Sequence, residues 1–156
     1  MMTLKKDPGS FRDRNGRIFY SDGDVFRALS KKGHEQWLFL KSSACINAFL
    51  DAGSIVKTEE VNLRTNLLPN EWEAVLKHER VPFISYPYEW SFDMMKDAAL
   101  FQLELLQAAL DEGLILKDAT PYNIQWKGTR PVFIDVLSFE KYLRGEPWVA
   151  YQQFCR

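Results

Sequence analysis

Residues 114–140 constrain the fold of this chain more than any other part of the sequence. They follow a long helix-like segment and read as a short apolar run, a loop and two β-prone runs joined by a tight turn at residues 127–130. Asp118 lies in the loop, Asn123 opens the first β-prone run and Asp135 ends the second. Because the outer ends of a hairpin lie side by side, we expect Asn123 and Asp135 to be close neighbours.

These three side chains are the types that phosphoryl transfer requires. An aspartate orients the attacking hydroxyl and accepts its proton, and hard oxygen ligands hold Mg²⁺ on the phosphates. Lys117, next to Asp118, would steady the loop or neutralise phosphate charge. The alternative interpretation is that Asp118, Asn123 and Asp135 cap turns, where Asp and Asn are favoured for local hydrogen bonding.

The order of these residues resembles a family pattern. A helix, then Leu116-Lys117-Asp118, then Asn123, then a hairpin ending in Ile134-Asp135 is similar to the His-Arg-Asp, Asn and Asp-Phe-Gly pattern of protein kinases and aminoglycoside-type phosphotransferases. The resemblance implies that Asp118 is the catalytic base, although Leu116 and Lys117 stand where the family has His and Arg. It also implies that Asn123 and Asp135 are the ligands of a Mg²⁺ ion that accompanies ATP.

The same resemblance implies cofactor contacts upstream. Lys57 would take the place of the phosphate-pairing lysine, and residues 86–90 would form the connector between two lobes. Tyr86, Tyr88 and Glu89 of this aromatic connector would contact the nucleotide, although packing between lobes is the alternative use of such aromatics. The chain contains no Gly-x-Gly-x-x-Gly loop, and Val136-Leu137 replaces Phe-Gly. An active phosphotransferase and an inactive interaction domain therefore both stay open.

A second resemblance covers nearly the whole chain. It is carried by residues 81–92, 96–100, 116–119 with 122–125, and 146–151. These strings are similar to the N-terminal region of a bacterial family described as class I SAM-dependent methyltransferases, some of them as nodulation-related proteins. The resemblance implies a kinase-like module that binds or positions substrate for the transferase. SAM would bind only in a domain that this chain does not contain, and that downstream domain or another protein would be the partner.

Together these resemblances predict an α+β, protein-kinase-like fold. We expect a flexible N-terminus over residues 1–10, a small β-rich N-lobe with helices over 11–86, and a truncated helical C-lobe with the catalytic-loop hairpin over 87–156. Residues 148–156 are spaced like the start of an amphipathic helix, which predicts that the parent protein continues beyond residue 156.

Local patterns predict the individual elements. Asn15-Gly16 predicts the turn of a hairpin over residues 11–21. Residues 23–52 have helical spacing, with Gly33 expected to divide two helices and Gly53 to end the second. We further expect strands over 54–61 and 81–86, a turn over 63–70, a helix or strand over 71–78, and a helix over 93–112 capped by Ser91 or Asp93.

Bulk properties exclude several functions. The 156 residues carry 20 Lys+Arg and 21 Asp+Glu, a net charge of −1 that gives no general attraction for nucleic acid. No apolar run reaches the roughly 20 residues that a membrane span needs. The two cysteines form no disulfide framework and fit a reducing cytoplasm. The expected substrate is a small molecule or a glycan.

Overall fold

The computed structural model describes residues 4–62 and 72–155, which form a mixed α+β fold. The chain divides into two compact units. We name them the sheet unit, Met1–Phe39 with Lys57–Arg80, and the hairpin unit, Leu40–Val56 with Val81–Arg156. The predicted α+β class is confirmed, whereas the boundaries after residues 10 and 86 stay a prediction.

The sheet unit is built on a five-stranded antiparallel sheet with the order β1-β2-β3-β5-β4. The strands are β1 (Lys5–Lys6), β2 (Gly16–Ser21), β3 (Asp24–Leu29), β4 (Thr58–Glu60) and β5 (Ala74–His78). One apolar cluster of the unit contains buried Phe19, Phe26, Ala28 and Val75, with Leu4, Val61 and Trp72 packed against it. Residues 71–78 had no decided state from sequence, and the structure makes most of them a strand.

The predicted hairpin turn at Asn15-Gly16 is wrong. The turn that joins β2 to β3 is Asp22-Gly23, where both residues have positive φ, 50° and 87°. Asp-Gly satisfies the same type I′ requirement as Asn-Gly. Asn15 instead precedes β2, and its carbonyl oxygen accepts a hydrogen bond from the amide of Ser30 at 2.9 Å.

The predicted helical run over residues 23–52 is also wrong in its first part. Residues Asp24–Leu29 form β3, which is paired on both sides, with β2 and with β5. The last four residues of β3 are all buried, so its apolar residues do not alternate with exposed polar ones and imitate helical spacing.

Two helices follow β3, but Gly33 does not divide them. Helix α1 spans Lys31–Lys41 and contains Gly33; α2 spans Ala44–Ala52 and begins after the N-cap Ser43. A Cβ at position 33 would lie 2.3 Å from the Asn15 carbonyl oxygen, so close approach of the backbone explains this glycine. Gly53 ends α2 with φ 71°, as predicted.

The hairpin unit contains the long helix that the sequence predicts. Helix α3 spans Phe92–Asp111, and the Ser91 hydroxyl caps its start by accepting from the amide of Met94. Its buried residues are Ala98, Gln102, Leu105, Leu106 and Ala109. A short helix, α4, spans Tyr151–Phe154 where a helix start was expected.

Two small antiparallel ladders complete the unit. Strand β6 (Leu114–Leu116) pairs with β9 (Phe139–Lys141), and β7 (Ile124–Lys127) pairs with β8 (Arg130–Phe133). The predicted second hairpin and its turn are confirmed. Val56, Val81 and Val132 pack together with Ile134 beside this hairpin.

The other expected strands are shorter or absent. Within residues 54–61 the structure has a single parallel bridge from Ile55 to Phe133 and then β4. Residues 81–86 are irregular, because Pro82 and Pro87 lack the amide hydrogens that a ladder needs. The turn expected over 63–70 lies outside the described residues. None of the helices described has the length and apolar character of a membrane span.

Candidate functional site

The loop that carries Asp118 is fixed at both ends to the segment after β8. At its start, the amide of Lys117 donates to the carbonyl oxygen of Ser138 at 2.8 Å. At its end, the carbonyl oxygen of Asn123 accepts from the amide of Ile134 at 2.9 Å. The first contact continues the β6–β9 ladder and the second continues the β7–β8 ladder, so the two ladders together set the path of the loop.

Asn123 and Asp135 are brought together, as the hairpin predicted, and Ser138 joins them. The Ser138 hydroxyl donates to Asp135 Oδ2 at 2.8 Å. Asn123 Nδ2 lies 3.4 Å from the same Ser138 Oγ. Ser138 is 1% exposed. The two predicted metal ligands therefore share one buried hydroxyl as a common neighbour.

Asp118 and Asp135 both accept local backbone hydrogen bonds. Asp118 Oδ1 accepts from the amide of Thr120 at 3.2 Å, and Asp135 Oδ1 accepts from the amide of Leu137 at 3.3 Å. Both are turn-capping contacts of the kind that Asp favours. Each contact uses one oxygen of its carboxylate. The turn-capping interpretation is thus correct for these aspartates, and it is compatible with a chemical role.

Lys117 pairs with the carboxylate of Glu140 at the surface. Its Nζ lies 3.6 Å from Glu140 Oε2, and both side chains are partly exposed. Exposed ion pairs of this kind add little stability, about 0–1 kcal/mol. The pair links the start of the loop to β9, and the catalytic role of Lys117 stays a prediction.

Two side chains near the C-terminus hold the backbone beside Asp118. Trp148 Nε1 donates to the carbonyl oxygen of Leu116 at 2.7 Å. The amide of Ala119 donates to Gln153 Oε1 at 2.7 Å. Neither contact could be predicted from sequence, because the partners are more than 30 residues apart and no motif spacing joins them.

Tyr86 and Tyr88 of the aromatic connector lie near Tyr122 of the Asp118 loop, and we name these three exposed residues the tyrosine cluster. The rings of Tyr86 and Tyr88 stack at 5.5 Å with an angle of 4°, and Tyr122 lies 6.4 Å from Tyr86. Tyr122 immediately precedes Asn123, so the cluster reaches the loop of the predicted metal ligands. Partial desolvation raises the pKa of Tyr88, and the Glu89 carboxylate adds to the shift.

Glu89 and Gln125 fix the backbone of the connector. Glu89 Oε2 accepts from the amide of Tyr86 at 2.7 Å. Gln125, on β7, accepts from the amide of Ser85 and donates to its carbonyl oxygen, both at 3.0 Å. Trp90 Nε1 also donates to the Ser85 hydroxyl. The side chain of Gln125 thus pairs with Ser85 as a neighbouring strand would.

Lys57 belongs to the sheet unit and is exposed, one residue before β4 rather than on a strand. Its carbonyl oxygen accepts from the amide of Glu79. In protein kinases the phosphate-pairing lysine lies on the third strand. Here the cation of the third strand is Arg27, which is buried and forms an ion pair with Asp13 at 2.7 Å. The sequence assignment of β3 to a helix hid this residue.

The oxygen ligands at the hairpin fit magnesium better than a softer metal. Among residues 4–62 and 72–155 no group of three or more His, Cys, Asp or Glu side chains is arranged to hold a metal ion. Magnesium does not require such a group, since it is commonly held by one or two carboxylates together with substrate phosphates and water. Asp135 supplies a carboxylate, and Asn123, whose Nδ2 faces Ser138, has its Oδ1 as the remaining ligand atom.

Comparison with known proteins gives one clear similarity. The chain is similar to Nodulation protein NoeA of Rhizobium meliloti (strain 1021), with 37% identity over 148 residues. The match covers 94% of this chain and 31% of NoeA, so the chain spans about a third of that relative. No protein-family model matches the sequence. The similarity supports the nodulation-related part of the predicted resemblance; it gives no information about methyl transfer or phosphoryl transfer.

Proposed function

We propose that this chain is a kinase-like module that binds a nucleotide with Mg²⁺ and transfers a phosphoryl group to a small molecule or glycan. The observation that carries the proposal is the meeting of Asn123 and Asp135 at the buried hydroxyl of Ser138. One loop and one hairpin bring an amide and a carboxylate together, which is the ligand pair that protein kinases use for their metal ions.

Asp118, Asn123 and Asp135 each have a role in this proposal. Asn123 and Asp135 would hold the Mg²⁺ ion, which neutralises charge on the phosphates when it is bound. Asp118 would orient the acceptor hydroxyl and take its proton, because one carboxylate oxygen is fixed by Thr120 and the other is available to a substrate. The contacts of Trp148 and Gln153 with the adjacent backbone would keep Asp118 in position.

The tyrosine cluster would supply the surface for the nucleotide base. Tyr88 is 75% exposed and its ring stacks on Tyr86, so aromatic surface is available beside the loop. Stacking of a base on an aromatic side chain contributes about 1–3 kcal/mol. Glu89 would act through its bond to the Tyr86 amide, which fixes the bend of the connector.

The sheet unit is consistent with a kinase-like N-lobe. It has a five-stranded antiparallel sheet, with α1 beginning directly after the third strand and a cation on that strand. The turn between β2 and β3 carries a single glycine, Gly23, and not the three of a kinase glycine-rich loop. Nucleotide affinity below that of a typical kinase is therefore expected.

A second candidate function is suggested by the extent of the NoeA match. A segment that aligns over 94% of this chain and only 31% of the relative is suited to act as one module of a longer protein. We propose that in such a protein the module positions substrate for a SAM-dependent methyltransferase domain. SAM would then bind the longer protein and not this chain alone, which isothermal titration with SAM would test.

Titration with ATP tests the first proposal. We expect ATP to raise the melting temperature of the wild-type chain in the presence of Mg²⁺ and to do so less in EDTA. Asp135→Ala and Asn123→Ala should each abolish the Mg²⁺-dependent part. Asp97→Ala, an exposed change on α3, is the matched control and should behave as wild type. The absence of any Mg²⁺-dependent shift in the folded wild-type chain would contradict the proposal.

A further inference from the structure

The buried hydroxyl of Ser138 contacts both of the predicted metal ligands. Its Oγ bonds to Asp135 Oδ2 and is a neighbour of Asn123 Nδ2, at 2.8 and 3.4 Å. Its backbone also participates, because the Ser138 carbonyl oxygen accepts from Lys117 and the Ser138 amide donates to the Asp135 carbonyl oxygen. One residue therefore connects the loop of Asp118, the start of β7 and the end of β8.

We infer that Ser138 is a positioning residue that orients both metal ligands, an inference that rests on the proposed function. A hydroxyl has one hydrogen to donate and lone pairs to accept with. Because Ser138 donates to the Asp135 carboxylate, its lone pairs face the Asn123 amide hydrogens. This polarity fixes which end of the Asn123 amide points at Ser138, and it leaves Oδ1 as the end that faces away.

The orientation of Asn123 matters because its two ends have opposite chemistry. Oδ1 can bind a cation, whereas the NH₂ group would repel one. Without the Ser138 hydroxyl, the amide loses the contact that distinguishes its two ends, and the Asp135 carboxylate loses its shortest side-chain hydrogen bond among those described. Side chains that hold metal ligands in this manner typically change metal affinity by about 10- to 100-fold when they are removed.

The burial of Ser138 separates this role from an ordinary surface turn. The residue is 1% exposed and is flanked by buried Leu137 and Phe139. A polar group at such a place costs free energy unless it is bonded. The bonds to Asp135 and Asn123 offset that cost, so the hydroxyl and the two ligands form one connected polar group inside an apolar segment.

The test measures Mg²⁺ dependence and not only nucleotide binding. Isothermal titration of ATP at a series of Mg²⁺ concentrations gives the half-saturating Mg²⁺ concentration for each variant. We expect Ser138→Ala to raise this concentration about tenfold or more. Binding of ATP in EDTA should remain within about twofold of wild type, since the tyrosine cluster is unchanged. Ser138→Thr keeps the hydroxyl and should return the Mg²⁺ dependence towards wild type.

Two further variants make the Mg²⁺ titration decisive. Ser42→Ala, on a residue between α1 and α2, should leave the Mg²⁺ dependence unchanged. Ser138→Cys keeps nearly the same side-chain volume but has a much weaker hydrogen-bond donor. If circular dichroism shows that Ser138→Ala is unfolded, the cysteine variant tests the role of the hydroxyl instead. An unchanged half-saturating Mg²⁺ concentration in a folded Ser138→Ala or Ser138→Cys variant, with the Mg²⁺ dependence lost in Asn123→Ala, would overturn the inference. ATP binding by the wild-type chain that does not depend on Mg²⁺ would instead overturn the proposed function itself.

Discussion

The sheet unit and the hairpin unit use polar side chains in different ways. In the sheet unit, Thr58 on β4 pairs with His78 opposite it on β5, and Arg27 on β3 pairs with Asp13, which precedes β2. In the hairpin unit, some side chains also pair, as Ser138 does with Asp135, but others bond to the backbone of irregular segments, as Gln125 does at Ser85.

The difference follows from where each unit obtains its backbone hydrogen bonds. In the sheet unit, one five-stranded ladder gives the strand residues backbone partners, so their side chains are available to pack. The hairpin unit has two short ladders and long irregular segments, whose buried amides and carbonyls need side-chain partners. Gln125 and Gln153 supply such partners, at Ser85 and at Ala119 beside Asp118. Each prediction below tests this contrast.

The largest effect is expected from apolar truncation in the sheet unit. Leu76 is fully buried on β5. Leu76→Ala should lower the free energy of unfolding by about 2–5 kcal/mol, because removal of the side chain leaves a cavity. Urea denaturation followed by circular dichroism measures the loss. Leu38→Ala, at a half-exposed position of α1, is the control and should change stability by less than about 0.5 kcal/mol. A loss below about 1 kcal/mol at Leu76 would contradict the claim that burial dominates this unit.

A smaller but localised effect is expected from Gln125→Ala. The change leaves the amide and the carbonyl oxygen of Ser85, a buried residue in a largely exposed segment, without their side-chain partner. Leaving buried groups unpaired costs about 1–3 kcal/mol. The control is Gln107→Ala on the exposed face of α3, which removes the same side chain from solvent and should be nearly neutral.

Hydrogen exchange separates this prediction from a general loss of stability. In Gln125→Ala, exchange of the Ser85 amide should accelerate, while the amides of β3 keep their protection relative to the global free energy of unfolding. Equal acceleration throughout both units would show that Gln125 stabilises the whole chain and not the connector. That outcome would remove the distinction between side chains that bond to one another and side chains that bond to irregular backbone.

The same contrast explains which features the sequence could predict. Helix α3 was predicted within one residue at each end, since its periodicity is long and its caps are local. The β7–β8 hairpin was predicted because its turn signal stands alone. The first hairpin was misplaced because Asn15-Gly16 and Asp22-Gly23 give the same signal seven residues apart. Backbone pairing across β3 selects the second, and that information is not local.

The contacts of the candidate site also differ in whether the sequence could predict them. Asn123 and Asp135 could be predicted as neighbours, because a hairpin brings its ends together whatever surrounds it. Ser138 follows Asp135 by three residues and could have been found by asking what hydrogen bonds a carboxylate at a strand end. Gln153 and Trp148 could not, because their partners Ala119 and Leu116 are set by the path of the C-terminal segment.

The smallest effect concerns Glu112, just after α3, whose carboxylate caps the start of α2. Oε2 accepts from the Ser43 hydroxyl at 2.7 Å and Oε1 from the amide of Cys45 at 2.8 Å. The hydrogen bond from Ser43 is the main reason that the pKa of Glu112 is lowered, and the Cys45 amide adds to the effect. Since the folded pKa lies below the unfolded value of about 4.3, the charged carboxylate stabilises the fold above that pH.

The pH dependence of this contribution has a definite sign. The stability difference between wild type and Glu112→Gln should be present at pH 7 and should shrink as pH falls below about 4.3 through the lowered pKa. Urea midpoints at both ends of that range measure it, with Glu104→Gln on the exposed face of α3 as control. A difference that does not change with pH would mean that Glu112 acts by shape and not by charge. Glu112 would then hold the start of α2 as a neutral side chain can, in the way that Gln125 holds Ser85.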